Sequence, residues 1–231
     1  MMRRLKAVMT SVFAVAALLI FSGCTSTYQG RKVEPSGFLT HTEQLAKGKG
    51  SQAKLVYIDS EADFSKYTKI LLEPIAGYGS TKGRSIKNLD ERDQKKLLNY
   101  FDAALRQELS KSFELVDQTG PDVLKLRVAV TDARGSKVVL DTVSSVIPIG
   151  IAASTVKAVA TGKHLSVGDV GAEMEVLDSQ NGRRLAAAVD VRVGRKYTLK
   201  FDKFSKWRTA KDAFDYWAET IHLRLRELSK Q

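Results

Sequence analysis

Two runs of alternating residues, 170–177 and 184–193, flank the dipeptide Asn181-Gly182. Asn-Gly is the pair favoured in a two-residue hairpin turn, because both turn positions adopt positive φ. Pairing the runs about that turn sets Met174 opposite Val189 and Val176 opposite Ala187, on an apolar face. The other face then carries Glu173 directly opposite Asp190, with Glu175 two residues along. Like charges facing across a ladder are unfavourable. The register therefore calls for compensation by Arg192 on the same face, or by Lys125 and Arg127 on a neighbouring strand. The candidate site read from the chain is this acidic cluster of Glu173, Glu175 and Asp190. It is either a solvated charge ladder or a place to receive a cation or a basic partner.

The rest of the pattern fits an α+β domain around that hairpin. Leu55–Ile58 and Lys69–Ile75 read as strands. Asn88 is a good N-cap with Glu91 three residues on. From there Leu97, Leu98, Phe101, Ala104, Leu105 and Leu109 recur at helical spacing up to about Ser112. Leu124, Leu126, Val128 and Val130 alternate with Lys125 and Arg127, as in a strand with one buried face. Residues 210–228 form a second amphipathic helix, with Phe214, Trp217, Ile221, Leu225 and Leu228 on its apolar side. The expected architecture is a mostly antiparallel sheet with two long amphipathic helices packed on one face. The run Val138–Thr161 stands apart, with Asp141 and Lys157 its only charges. It reads either as core or as an exposed apolar surface. Pro148, Gly150 and Lys157 argue against a spanning helix.

The amino-terminus reads as an address. Met1–Lys6 is short and basic, Ala7–Phe21 is apolar apart from Thr10 and Ser11, and the small residues Ser22 and Gly23 precede Cys24. That is the order of a secretory signal. The apolar stretch is shorter than the roughly 20 residues of a spanning helix. Phe21-Ser22-Gly23-Cys24 resembles the lipobox of bacterial lipoprotein precursors, with Phe21 where Leu is usual. The resemblance implies cleavage after residue 23, a diacylglyceryl group on the Cys24 sulfur and an acylated amino group. Thr25, where aspartate would favour inner-membrane retention, implies the periplasmic face of the outer membrane. The expected division is a signal peptide over 1–23, a lipidated N-terminus and flexible tether over 24–50, and one periplasmic domain over 51–231.

Composition narrows the function. The 231 residues are 43% hydrophobic and 27% charged, a globular balance. The net charge is +11, and losing Arg3, Arg4 and Lys6 with the signal leaves +8. The basic residues are dispersed along the chain, so nucleic acid is not an expected partner. Cys24 is the lone cysteine, which excludes an internal disulfide or a cysteine zinc cluster. His41, His164 and His222 show no metal spacing, and His222 reads as a surface or boundary residue. Ser51 with Lys54, and Ser154 with Lys157, match a Ser-x-x-Lys pattern without its companion motifs. The loop Gly77–Lys87, basic through Lys82 and Arg84, offers an anion site at a helix start. No catalytic residue, cofactor or metal is expected.

Several stretches resemble a bacterial lipoprotein family, domain of unknown function 3313. They are Pro35-Ser36-Gly37-Phe38-Leu39, residues 171–178, Asn181-Gly182, Val189-Asp190 and residues 213–218. The resemblance covers most of the chain beyond Cys24 and implies an envelope lipoprotein without an assigned activity. The expected function is a non-enzymatic protein-binding or scaffolding module. It is held to membrane lipid through Cys24 and paired with an unidentified envelope protein. The second reading is a small-molecule or anion binder.

Overall fold

The computed structural model describes residues 27–31, 33–79, 85–135, 168–194 and 206–230. Cys24, the run Val138–Thr161, Ser154, Lys157, His164, Lys82 and Arg84 lie outside them.

In chain order the strands are β1 (Thr27–Gln29), β2 (Ala46–Lys47), β3 (Leu55–Ile58), β4 (Lys69–Leu72), β5 (Ala76–Gly77), β6 (Glu114–Leu115), β7 (Val123–Arg134), β8 (Asp169–Asp178) and β9 (Arg184–Gly194). The helices are α1 (Glu91–Leu109) and α2 (Arg208–Leu228). The fold is α+β. One sheet runs in the order β2-β3-β9-β8-β7-β4-β6, with β1 added to β9 and β5 to β7. It is mixed: β4 pairs in parallel with β6 and β7, and β5 in parallel with β7. The connections explain this. The chain leaves β4 and β5 through α1 before returning to β6 and β7, and a helical crossover joins parallel strands. The antiparallel order expected from the hairpin holds from β2 through β3, β9 and β8 to β7.

The N-cap of helix α1 lies two residues beyond the expected one. Asn88 sits in a short 3-10 turn (Ile86–Asn88) that Ser85 caps, and Asp90 is the helix N-cap, accepting from the Asp93 N–H at 2.9 Å. Asp90 has the short acceptor side chain a cap needs and lies directly before the periodic run. Leu97, Phe101, Leu105 and Leu109 recur every four residues and are buried. On α2 the buried set includes Phe214, Trp217, Ile221 and Leu225. Phe101 and Phe214 stack with centroids 4.5 Å apart and planes 10° apart, locking one helix to the other. These residues share one core with Leu124, Leu126, Val128 and Val130 of β7. A second, smaller core lies around Leu39, Ala187 and Val189, with Phe38, Leu45, Leu55 and Tyr57 against it.

The tether expected over residues 24–50 is replaced by packed structure from residue 27 onward. Thr27, Tyr28 and Gln29 pair with Gly194, Val193 and Arg192 of β9. The Gly30 N–H donates to the Val191 carbonyl. Polarity alone suggested a tether, but polar side chains suit an edge strand whose partners are backbone groups and buried arginine.

Candidate functional site

The hairpin turn differs from the two-residue form in a way that rearranges the site. Gly182 has φ 73, whereas Asn181 does not reach positive φ. Asp178 is the reason: its Oδ1 accepts from the N–H groups of Gln180 and Asn181, at 2.9 and 3.3 Å. The turn therefore spans several residues after Asp178, and the Gly182 N–H returns to the Asp178 carbonyl. A register irregularity follows, with Leu177 opposite Arg184 but Val176 opposite Ala186. Met174 then faces Ala188, Glu173 faces Val189, and Asp190 faces Ala172. A one-residue slip moves a side chain to the other face of a sheet. The expected acidic cluster is thus divided: Glu173 and Glu175 lie on one face and Asp190 on the opposite one. The reading as a solvated ladder also fails, because Glu173, Glu175 and Asp190 are 1%, 3% and 6% exposed.

Each carboxylate holds a different part of the fold. Glu173 accepts from the Ser36 N–H and, at 3.3 Å, from the Leu39 N–H. Two stretches far apart in sequence, 35–39 and 171–178, thereby meet. Glu175 lies between two guanidinium groups, Arg127 of β7 and Arg184 of β9, with Arg184 at 2.8 Å. Arg127 also reaches Glu73 at 3.2 Å and lies over the Phe38 ring at 5.1 Å. Lys125 turns to Glu73 instead, at 3.8 Å. Arg127 supplies the compensation expected from a neighbouring strand. Arg184 was missed because it sits at the hairpin mouth, where the turn decides its direction.

Asp190 lies against α2. Its Oδ2 accepts from Trp217 Nε1 at 2.9 Å, and its Oδ1 from Gln29 Nε2 at 2.9 Å and the Lys54 N–H at 3.2 Å. Arg192, two residues on, donates to Thr27 through Nε (to Oγ1, 2.8 Å) and Nη2 (to the carbonyl, 2.9 Å). Its guanidinium stacks 3.6 Å over the Tyr216 ring. Thr27 is 1% exposed. The start of β1 is therefore clamped to β9 and α2 by a buried arginine.

A cavity of about 420 Å³ opens between α2 and the β3–β9–β8 part of the sheet. Met174, Ala186 and Ala188 line the sheet side, and Trp217, Ile221 and Leu225 the helix side. Asp190 and Arg224 are among its other lining residues. Sequence reading missed this hollow. Its signal was Ala186 and Ala188, alternate residues of β9 that put methyl groups where larger side chains would fill the space.

The remaining candidates are resolved by their partners. Ser51 Oγ accepts from Arg224 Nη2 at 3.0 Å. His222, expected near the surface, is buried; its Nε2 lies 2.8 Å from Ser112 Oγ. Burial holds the imidazole below its ordinary pKa against the pull of Glu108. Burial and the Asp215 carboxylate it donates to push the Tyr100 phenol up to about 12. Among the described residues no group of three or more His, Cys, Asp or Glu is arranged to hold a metal, and no helix is long and apolar enough to cross a membrane.

Comparison with known proteins gives the wider setting. The chain is 30% identical over 128 residues to the Uncharacterized lipoprotein YdcL of Escherichia coli (strain K12), covering 54% of this chain and 56% of that protein. The YdcL of Escherichia coli O157:H7 matches to the same extent. The chain thus spans about half the length of the curated relatives it matches. Among solved structures, a PelC dodecamer from Paraburkholderia phytofirmans superposes with a TM-score of 0.39 at 14% identity, covering 74% of this chain and 95% of that one. A PDZ domain protein from Parabacteroides distasonis gives 0.33 at 13% identity, covering 70% and 34%. Both are distant, and neither informs function. A family profile matches residues 34–221, most of the chain, and on that match the chain belongs to the family described as Protein of unknown function (DUF3313).

Proposed function

We propose that the chain is a lipoprotein of the outer membrane whose body is a non-enzymatic binding module held by one end of its sheet at the periplasmic surface of the bilayer. The observation that carries this reading is the clamp on Thr27 by Arg192. Cys24 precedes Thr27 by three residues, and three residues span at most about 11 Å. Acyl chains on Cys24 therefore hold the sheet end that contains Thr27 and Gly194 within that distance of the lipid surface. Two or three chains, at about 0.8 kcal/mol per buried methylene, make such an anchor effectively permanent. A relative bearing the name lipoprotein supports the anchor.

We also read both helices as covering one face of the sheet, because the stacked Phe101 and Phe214 share one core with Leu124, Leu126, Val128 and Val130 of β7. The other face is then left to residues 33–45, fixed by Glu173. A body so clamped presents a constant surface to a neighbouring envelope protein. This suits a scaffold better than a freely swinging domain does.

The test is metabolic labelling of the full chain with palmitate, followed by mass analysis of its first peptide. The proposal expects label on Cys24 and none in Cys24→Ala. An unlabelled native chain, with an intact Phe21-Ser22-Gly23-Cys24 segment, would refute it. Crosslinking in intact envelopes then tests the scaffold, which expects one protein to be captured reproducibly.

A further inference from the structure

The cavity under α2 has a shape and chemistry that the anchor does not use. We infer that it binds one long-chain fatty acid, with the alkyl chain inside and the carboxylate at Arg224. This goes beyond the proposed function and does not depend on acylation of Cys24.

The interior suits an alkyl chain. Most of its lining is apolar: Met174, Ala186 and Ala188 on the sheet side, Ile221 and Leu225 on the helix side, with Thr220 and Asp190 the polar side chains between them. Asp190 has both oxygens engaged, by Trp217, Gln29 and Lys54, so it does not call for a polar ligand. At roughly 30 Å³ for a group the size of a water or methylene, about 420 Å³ holds on the order of 14 such groups. That is the scale of one acyl chain. Ile58, also in the lining, is 45% exposed, so an apolar side chain is left facing water. A bound chain would cover it.

Charge selects the head group. Arg224 lines the cavity, with Nη1 on Glu227 Oε2 at 2.9 Å and Nη2 on Ser51 Oγ at 3.0 Å. Its side chain is 45% exposed and that of Glu227 60%, and an ion pair this open contributes little. A ligand carboxylate delivered by its own alkyl chain can displace Glu227 and take a charge-assisted bond.

Trp217 lines the cavity and reports on its contents. The experiment titrates 9,10-dibromostearate into the full chain held in amphipol and reads tryptophan quenching, with dibromostearyl alcohol as the uncharged probe. The inference expects saturation at one equivalent of the acid. Ala188→Leu, which fills the floor, should abolish saturable quenching while the circular dichroism stays native; Ala186→Val is the milder second variant. Arg224→Gln should weaken the acid by about tenfold and leave the alcohol unchanged. Quenching that never saturates, or a saturable component that survives both filling variants, overturns the site. Equal acid affinity in Arg224→Gln overturns the carboxylate assignment.

Discussion

Trp217 donates its indole N–H to the Asp190 carboxylate at 2.9 Å, joining α2 to the middle of β9. Removing the acceptor leaves Trp217, Gln29 and the Lys54 N–H without it in a buried setting. Asp190→Ala should cost about 2–4 kcal/mol in urea unfolding. Asp190→Asn, which keeps an acceptor oxygen, should cost about half as much.

Glu173 fastens residues 35–39 to the sheet. Glu173→Ala leaves two backbone N–H groups unmet and should cost about 2–3 kcal/mol. The loss is local, so limited proteolysis should cut within 33–45 in the variant and spare that stretch in the native chain. Equal cleavage in both would show that Leu39 and its neighbours hold the segment without the carboxylate.

Gly182 occupies a left-handed position that L side chains rarely adopt, with open space around it. Gly182→Ala should destabilise the domain by about 1 kcal/mol through backbone strain alone. Thermal unfolding compared with the native chain provides the check.

His222 gives the domain a pH dependence whose sign follows from its buried setting. Its folded-state pKa lies below the ordinary value, held there first by burial, with Arg226 and Lys111 assisting and Glu108 and Glu219 opposing. The unfolded chain thus binds the proton more readily. Stability contributed by the neutral ring is present above about pH 6.5 and is lost as pH falls through and below that value. Unfolding free energy should drop between pH 7 and 5, and the drop should shrink in His222→Gln.

Much of this fold was legible because its elements repeat. The four-residue spacing of Leu97, Phe101, Leu105 and Leu109, and the alternation Leu124 to Val130, each named an element and its buried face. The site was less legible because it turns on one side chain. Nothing in the alternation of β8 and β9 announces that Asp178 will bond the N–H groups of Gln180 and Asn181. That choice lengthens the turn, shifts the register and carries Asp190 to the α2 face. Likewise, the polarity of Thr25–Ser36 hid β1, whose partners are Arg192 and the backbone of β9. The parallel strands follow from long-range crossovers through α1, which local patterning does not encode.

The central claim is that a three-residue link from Cys24 holds the Thr27 end of the sheet at the bilayer surface. It is tested by placing a fluorophore at Tyr28→Cys or Gln180→Cys in the acylated chain, in vesicles whose head groups carry a nitroxide quencher. Tyr28 adjoins the clamp and is 46% exposed, whereas Gln180 is at the hairpin tip. Between them runs β9, eleven residues at about 3.3 Å each, or roughly 36 Å. Strong quenching at position 28 with little at position 180 is the predicted result. Equal quenching at the two positions, on a chain shown by mass to be acylated, would contradict it.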